Sequence, residues 1–247
     1  MYNPFSLEGK TILVTGASSG IGQGIAIACS KMGAHILALG RNAERLDTTM
    51  HRMEGDGHHA LLCELTSQKE VAAMVASLPK LDGIVHCAGI GQRIICKEIT
   101  EDDLSNVMDN NFKAPVLLQS EVLAQKKLNK GASIVFIASI ASWSPSIGNS
   151  LYSASKGAII SYAKCLGLEL APRQIRVNCI SPAMIWTGLI TKEGVNIELL
   201  KKDEDSYPLK RYGRPEDIAN LAIYMLSDAS TWMTNSNVEI TGGGKLS

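Results

Sequence analysis

The stretch Thr11-Ile12-Leu13-Val14-Thr15-Gly16-Ala17-Ser18-Ser19-Gly20-Ile21-Gly22 decides the fold. Its first part, Thr11 to Val14, is apolar and rich in β-branched residues, the composition of a buried strand. Gly16, Gly20 and Gly22 then punctuate a turn, and Gly20 to Met32 reads as a helix with Ile21, Ile25 and Ala28 on one face. A strand that turns through glycines into a helix is a place where a dinucleotide pyrophosphate binds. The glycines let backbone N–H groups approach the phosphates, and the helix N-terminus adds favourable charge. A tight strand-to-helix turn with no ligand has the same composition, so this motif needs support from the rest of the chain.

Outward from the turn, strand-like runs alternate with helical patterns. His35–Leu39 reads as a second strand, and Asn42 caps a helix running to about Glu54. Ala60–Cys63 is a third strand, and Ser67 caps a helix Gln68–Ser77. Ile84–His86 is a fourth strand, and Thr100 caps a long helix through Asn129, interrupted only by Pro115. Ser133–Ile137, Arg176–Ile180 and Val238–Ile240 complete seven strands. Between them lie a helix Tyr152–Ala171 rich in small residues and another that opens with Pro215, Glu216 and Asp217. This alternation gives a parallel sheet covered by helices on both faces, with ligands at the carboxyl ends of the strands. The one long irregular stretch, about 183–213, reads as a lid whose charged run Lys201–Asp205 is a solvated face. The pair His58-His59 reads as surface loop.

Composition excludes several classes. The chain has 247 residues, 45% of them hydrophobic, and a formal net charge of zero. That supports one large α/β domain and gives no basic footprint for nucleic acid. No apolar run approaches the roughly 20 residues of a membrane span, and Met1–Lys10 lacks the apolar core of a signal peptide. The six cysteines are scattered without a Cys-x-x-Cys, which reads as reduced thiols in a cytoplasmic protein and no metal site.

The chemistry lies in a second constellation. Tyr152 and Lys156 stand four apart at the head of a helix, so phenol and ammonium share one face. Ser139 follows the fifth strand, as Ala88-Gly89 follows the fourth. A tyrosine that exchanges a proton near neutral pH needs electrostatic help, and a neighbouring ammonium supplies it. A serine beside it can hydrogen-bond a substrate oxygen and stabilise developing charge.

Taken together, the chain resembles the short-chain dehydrogenase/reductase family in its single-domain form, over Lys10 to Gly244. The residues that carry the likeness are Thr15-Gly16-x-x-x-Gly20-x-Gly22, Ala88-Gly89, Asn111, Ser139, Tyr152-x-x-x-Lys156, Arg176-Val177-Asn178, Ser181-Pro182, Thr187 and Gly213-Arg214-Pro215-Glu216-Asp217. It looks most like the branch of 3-oxoacyl-carrier-protein reductases and related alcohol dehydrogenases. The resemblance implies a three-layer doubly wound Rossmann fold, with a seven-stranded parallel sheet in the order 3-2-1-4-5-6-7. It implies a homotetramer, and hydride transfer between a nicotinamide cofactor and a ketone or secondary alcohol. The carbonyl is read as a 3-oxoacyl thioester, with a sugar, polyol or other alcohol as the alternative. A nicotinamide-binding regulatory protein without turnover is the rival from another class.

The same resemblance implies roles for residues. Tyr152 is the general acid, Ser139 binds the substrate oxygen, Lys156 also bonds the nicotinamide ribose, and Asn111 holds a water that links Lys156 to solvent. Asn111 is chosen over Asn110 because Phe112-Lys113-Ala114 follows it. The cofactor surface comprises Gly16, Ser18, Ser19, Gly20, Ile21, Gly22, Arg41, Glu64, Leu65, Ala88, Gly89, Pro182, Ile185 and Thr187, with Tyr152 and Lys156. Where NAD-binding sites place a carboxylate at the end of strand two, this chain has Gly40 and then Arg41, which favours NADP(H) over NAD(H). Departures from the family pattern are His86-Cys87 where two asparagines are usual, Glu64 for Asp, and Ala183 after Pro182. Trp143, Ile147, Met184, Ile185 and Trp186 either line the substrate pocket or pack the lid on the core.

Overall fold

A computed structural model describes residues 2–191 and 196–244. Seven parallel strands form one sheet in the order β3-β2-β1-β4-β5-β6-β7, as the resemblance implied. They are β1 Thr11–Thr15, β2 His35–Gly40, β3 His59–Leu62, β4 Leu81–His86, β5 Leu128–Ile137, β6 Arg176–Pro182 and β7 Asn237–Ile240. The helices are α1 Gly20–Lys31, α2 Ala43–Met50, α3 Gln68–Ser77, α4 Glu101–Met108, α5 Ala114–Ala124, α6 Ser150–Leu170, α7 Ile197–Glu204 and α8 Pro215–Leu226.

Successive residues of a strand face opposite sides, so each central strand feeds two cores. Leu13, Ile84, Ile134 and Phe136 join the buried faces of α3, α5 and α6. Ile12, Val14, Val85 and Val135 join those of α1 and α8. This explains the unbroken apolar runs of β1, β2 and β4, whose residues are all buried or half-buried. Full burial of one such side chain, Ile12 for instance, contributes about 1.5–3 kcal/mol. The α1–α8 layer is drawn tight by Gly24, where a Cβ would stand 2.6 Å from the Pro215 Cβ.

Several sequence expectations are corrected. The helix expected from Thr100 through Asn129 is three segments: α4, a π-helical turn Asp109–Lys113, and α5. Pro115 lacks an N–H and its ring opposes the carbonyl four residues back, which is that of Asn111. A wider turn at this point accommodates it. The chain leaves α5 through Lys126 with φ +54°, and Asn129 belongs to β5, which starts five residues before the expected Ser133. The helix after Asn42 ends at Met50, not Glu54. His58-His59 is not free loop. His59 opens β3, and His58 accepts from the Ile36 N–H at 3.1 Å through Nδ1, with Nε2 3.0 Å from the Glu54 carbonyl.

The segment 183–213 also holds more order than expected, although its residues 192–195 lie outside the described ones. Asn196 caps α7 through Oδ1, 2.9 Å from the Glu198 N–H. The charged run is only partly a solvated face. Asp203 accepts from the Tyr212 hydroxyl at 2.7 Å, and Glu204 accepts from Trp186 Nε1 at 2.6 Å and from the Tyr212 N–H at 2.8 Å. Burial and the Asp203 carboxylate together push the Tyr212 phenol up.

Candidate active site

The carboxyl ends of β1, β4, β5 and β6 deliver the motif residues to one edge of the sheet. At the first, Gly16 has φ +69° and Gly20 φ +55°, conformations that favour glycine. A Cβ on Gly22 would collide with the Gly16 carbonyl, and one on Gly16 would stand 3.0 Å from the Ala88 Cα. The turns after β1 and β4 are thus pressed together, and the Thr15 hydroxyl ties them by accepting from the Cys87 and Ala88 N–H groups at 3.0 Å each. Ser19 precedes α1 with an extended backbone and no side-chain cap bond, so the first-turn N–H groups of α1 and a hydroxyl converge here. A Cβ on Gly20 would stand 3.2 Å from the Thr187 methyl, which joins the segment after β6 to the glycine turn. This glycine-lined hollow has the form and donors that a pyrophosphate requires.

Lys156 lies in α6 and is only 6% exposed. Its ammonium donates to the Ile137 carbonyl at 2.8 Å and stands 5.7 Å from the Tyr152 ring centroid. Two residues beyond Ile137, Ser139 begins a short 3-10 turn, and its Oγ accepts from the Ala141 N–H at 3.1 Å. Asn111 sits in the π-helical turn and is 1% exposed. Its Oδ1 accepts from the Ile90 N–H at 2.7 Å, and its Nδ2 donates to the Ile90 carbonyl at 2.9 Å and to Ser155 Oγ at 3.1 Å. Ser155 in turn donates to the Tyr152 carbonyl at 2.7 Å. A Cβ on Gly89 would approach Asn111 Oδ1 to 3.0 Å and Lys156 Nζ to 3.6 Å. Asn111, Gly89, Ser155 and Lys156 therefore form one cluster. Ser155 carries no signal in the sequence beyond being a small polar residue beside Lys156.

At the β2 end, a Cβ on Gly40 would stand 3.3 Å from Ser18 Cβ, so Ser18 closes on the residue before Arg41. Arg41 pairs with Glu64 at 3.1 Å. Burial raises the Glu64 carboxyl, but hydrogen bonds from Thr66 and Arg41 outweigh this and hold it below the ordinary Glu value. Leu65 and Ile21 are partly buried against the two cores. The Ile185 side chain belongs to the α1–α8 core, and its backbone bridges to Gly213. Its side chain therefore packs the segment after β6 onto the core rather than lining a pocket. Pro182 ends β6 opposite Ile240.

The unusual His86 is buried, stacked on Phe136 with ring centroids 4.5 Å apart, and 3.0 Å from Gln119 Oε1 through Nε2. Burial lowers it to about 4, so the imidazole is neutral. Burial likewise pushes the thiol of the half-buried Cys87 up to about 12, with the Lys156 ammonium opposing the shift. The two residues replace the usual asparagines with packing and the bond to Gln119.

A doubly wound sheet with a glycine cradle after its first strand, Ser139 after its fifth, and Lys156 of α6 fastened to that fifth strand beside Tyr152 has the layout of a nicotinamide-dependent oxidoreductase. The comparisons agree. A family model described as enoyl-(acyl carrier protein) reductase matches residues 16–245. A 3-oxoacyl-[acyl-carrier-protein] reductase FabG of Rickettsia felis is 33% identical over 237 residues, covering 96% of this chain and 97% of that protein. A dehydrogenase/reductase from Sinorhizobium meliloti superposes with a TM-score of 0.88 at 31% identity, covering 97% of this chain and 96% of that one. A candidate NAD(P)-dependent gluconate 5-dehydrogenase from Beutenbergia cavernae, with NADP bound at low occupancy, has a TM-score of 0.87 at 29% identity, covering 98% of both chains. The chain belongs to the short-chain dehydrogenase/reductase family and is an oxidoreductase acting on CH–OH and C=O groups.

Proposed function

We propose that this protein is an NADP(H)-dependent carbonyl reductase whose substrate is a 3-oxoacyl thioester. The observation that carries the reading is the buried Lys156 ammonium, held between the Ile137 carbonyl and the Tyr152 ring. The nicotinamide, when bound, supplies the hydride. Tyr152 delivers the proton to the substrate oxygen, and Ser139 steadies that oxygen with a hydrogen bond. Lys156 keeps positive charge beside the phenol and binds the cofactor ribose. Asn111, clamped to Ile90 and Ser155, fixes the turn beside Lys156, where a water links the ammonium to solvent. The glycine turn, Leu65, Ala88-Gly89, Pro182 and Thr187 hold the cofactor, and Arg41 receives its 2′-phosphate.

Residues 1–247 are read as one dinucleotide-binding domain, with a lid at about 183–213 anchored through Glu204 and Asp203. The half-exposed Trp143 and the 90% exposed Ile147 lie in the segment between Ser139 and Tyr152 and favour an apolar acyl chain. The gluconate 5-dehydrogenase likeness favours a sugar acid as the second reading. Leu168 on α6, 70% exposed, supports self-association through this helix into a homotetramer. The six free thiols suit the cytoplasm. Among the described residues no helix is long and apolar enough to cross a membrane.

NADPH oxidation should be followed with a 3-oxoacyl thioester and with a keto sugar acid. The thioester is expected to give the higher kcat/KM. The reverse order would replace the substrate assignment. Cofactor binding without turnover of any carbonyl in a wider panel would favour the non-catalytic rival.

A further inference from the structure

Arg41 and Glu64 leave the sheet side by side. Gly40 and Leu62 are in register on β2 and β3, and the Cys63 N–H donates to the Gly40 carbonyl at 3.3 Å. Arg41 Nη1 donates to Glu64 Oε2 at 3.1 Å. The other carboxylate oxygen, Oε1, is held by the Thr66 N–H at 3.1 Å and the Thr66 hydroxyl at 3.0 Å. The Glu64 N–H donates to Glu70 Oε2 at 2.9 Å. One oxygen is therefore anchored to the turn before α3, and the other is aimed at the guanidinium.

This pairing occupies part of the donor fork that a phosphate would use. A guanidinium binds phosphate best through two parallel N–H groups, and Glu64 holds one of its nitrogens. The carboxylate also places negative charge beside the spot where a dianionic phosphate would dock. A free ribose 2′-hydroxyl suffers neither effect. The Arg41 and Glu64 side chains are 63% and 37% exposed, so the pair is weak and screened by salt, and a phosphate can displace it.

We propose that Glu64 is a positioning residue that acts through Arg41: it serves as an internal counter-ion and limits the preference for a 2′-phosphorylated cofactor over one with a free 2′-hydroxyl. The inference rests on the reading that this site takes a nicotinamide dinucleotide. Reach and neighbours distinguish Glu64 from a plain adenine contact, because both carboxylate oxygens are already engaged within the protein.

The test is calorimetric binding of 2′,5′-ADP and of 5′-AMP to the free enzyme, for the unmodified protein, Glu64→Gln, Arg41→Ala and the double variant. Glu64→Gln is expected to bind 2′,5′-ADP roughly 3- to 10-fold more tightly, the size of a released exposed ion pair with some repulsion removed. Any change in its binding of 5′-AMP is expected to be smaller than this, and an unaltered thermal unfolding midpoint shows that the variant is folded. The gain should shrink at high salt and vanish in the Arg41→Ala background. An equal change for both ligands would overturn the proposal, because Glu64 would then act on the adenine or on the Thr66 turn. So would weaker 2′,5′-ADP binding, or a gain that persists in full without Arg41. If the unmodified protein binds neither ligand, the cofactor reading itself fails and this inference fails with it.

Discussion

The Lys156 ammonium donates a 2.8 Å hydrogen bond to the main-chain carbonyl of Ile137. A side chain of α6 is thereby fastened to the end of β5, two residues before Ser139. The same nitrogen stands 5.7 Å from the Tyr152 ring. One buried cation thus sets the spacing between the strand that carries the serine and the helix that carries the tyrosine.

Lys156→Met keeps the aliphatic stem and removes that cation. A charge-assisted hydrogen bond is worth about 1.5–3 kcal/mol, so cofactor affinity should fall by at least about tenfold and turnover should fall with it. Titration of NADPH fluorescence together with steady-state rates checks this. Loss of turnover with unchanged NADPH affinity would remove the lysine from the cofactor site.

Gly40→Asp with Arg41→Ala should reverse cofactor choice. A carboxylate at the end of β2 can accept from a ribose 2′-hydroxyl and repels a 2′-phosphate. The double variant is expected to lose most of its NADPH affinity and to gain affinity for NADH. An unmodified protein that already binds NADH more tightly than NADPH would contradict the assignment.

His86 makes stability depend on pH. Its folded-state value, lowered to about 4 by burial, lies below the ordinary histidine value of about 6.5. Between these values the unfolded chain binds a proton that the folded one does not. Stability from this group is therefore full above about pH 6.5 and declines as pH falls toward 4, by up to about 3 kcal/mol. Urea unfolding between pH 7 and 4.5 should show this slope, and His86→Asn should flatten it. An unaltered slope in the variant would mean that other groups govern acid stability.

Much of this was legible in the sequence, for a physical reason. Parallel strands buried on both faces are unbroken apolar runs, so Thr11–Val14 and Ile84–His86 announce themselves, and Asn42, Ser67 and Thr100 mark helix starts by their capping chemistry. The π-helical turn at Asp109–Lys113 was not legible, because an extra residue in a turn changes no residue type and Pro115 is its only sign. The polar start of β5, Leu128-Asn129-Lys130-Gly131, has no strand pattern. Asp203 and Glu204 read as solvated charge because their partners, Tyr212 and Trp186, are set by the return of the chain. Arg41 reads in the sequence as a candidate phosphate ligand, but its pairing with Glu64 depends on β2 and β3 being neighbours. Tyr152 and Lys156 share a helix face and Ser139 follows a strand, so spacing alone makes them candidates, whereas Asn111 comes from the family resemblance and lies beside Ser155 and Gly89 in the fold.

Tyr152→Phe bears on the central claim most directly. The substitution keeps the ring beside Lys156 and removes only the hydroxyl. NADPH binding should persist, because the glycine turn, Arg41 and Lys156 are untouched. Turnover of the carbonyl substrate should fall by at least the roughly 10²–10⁴-fold typical of general acid catalysis. A Tyr152→Phe protein that binds NADPH normally and reduces its substrate at a near-native rate would contradict the account.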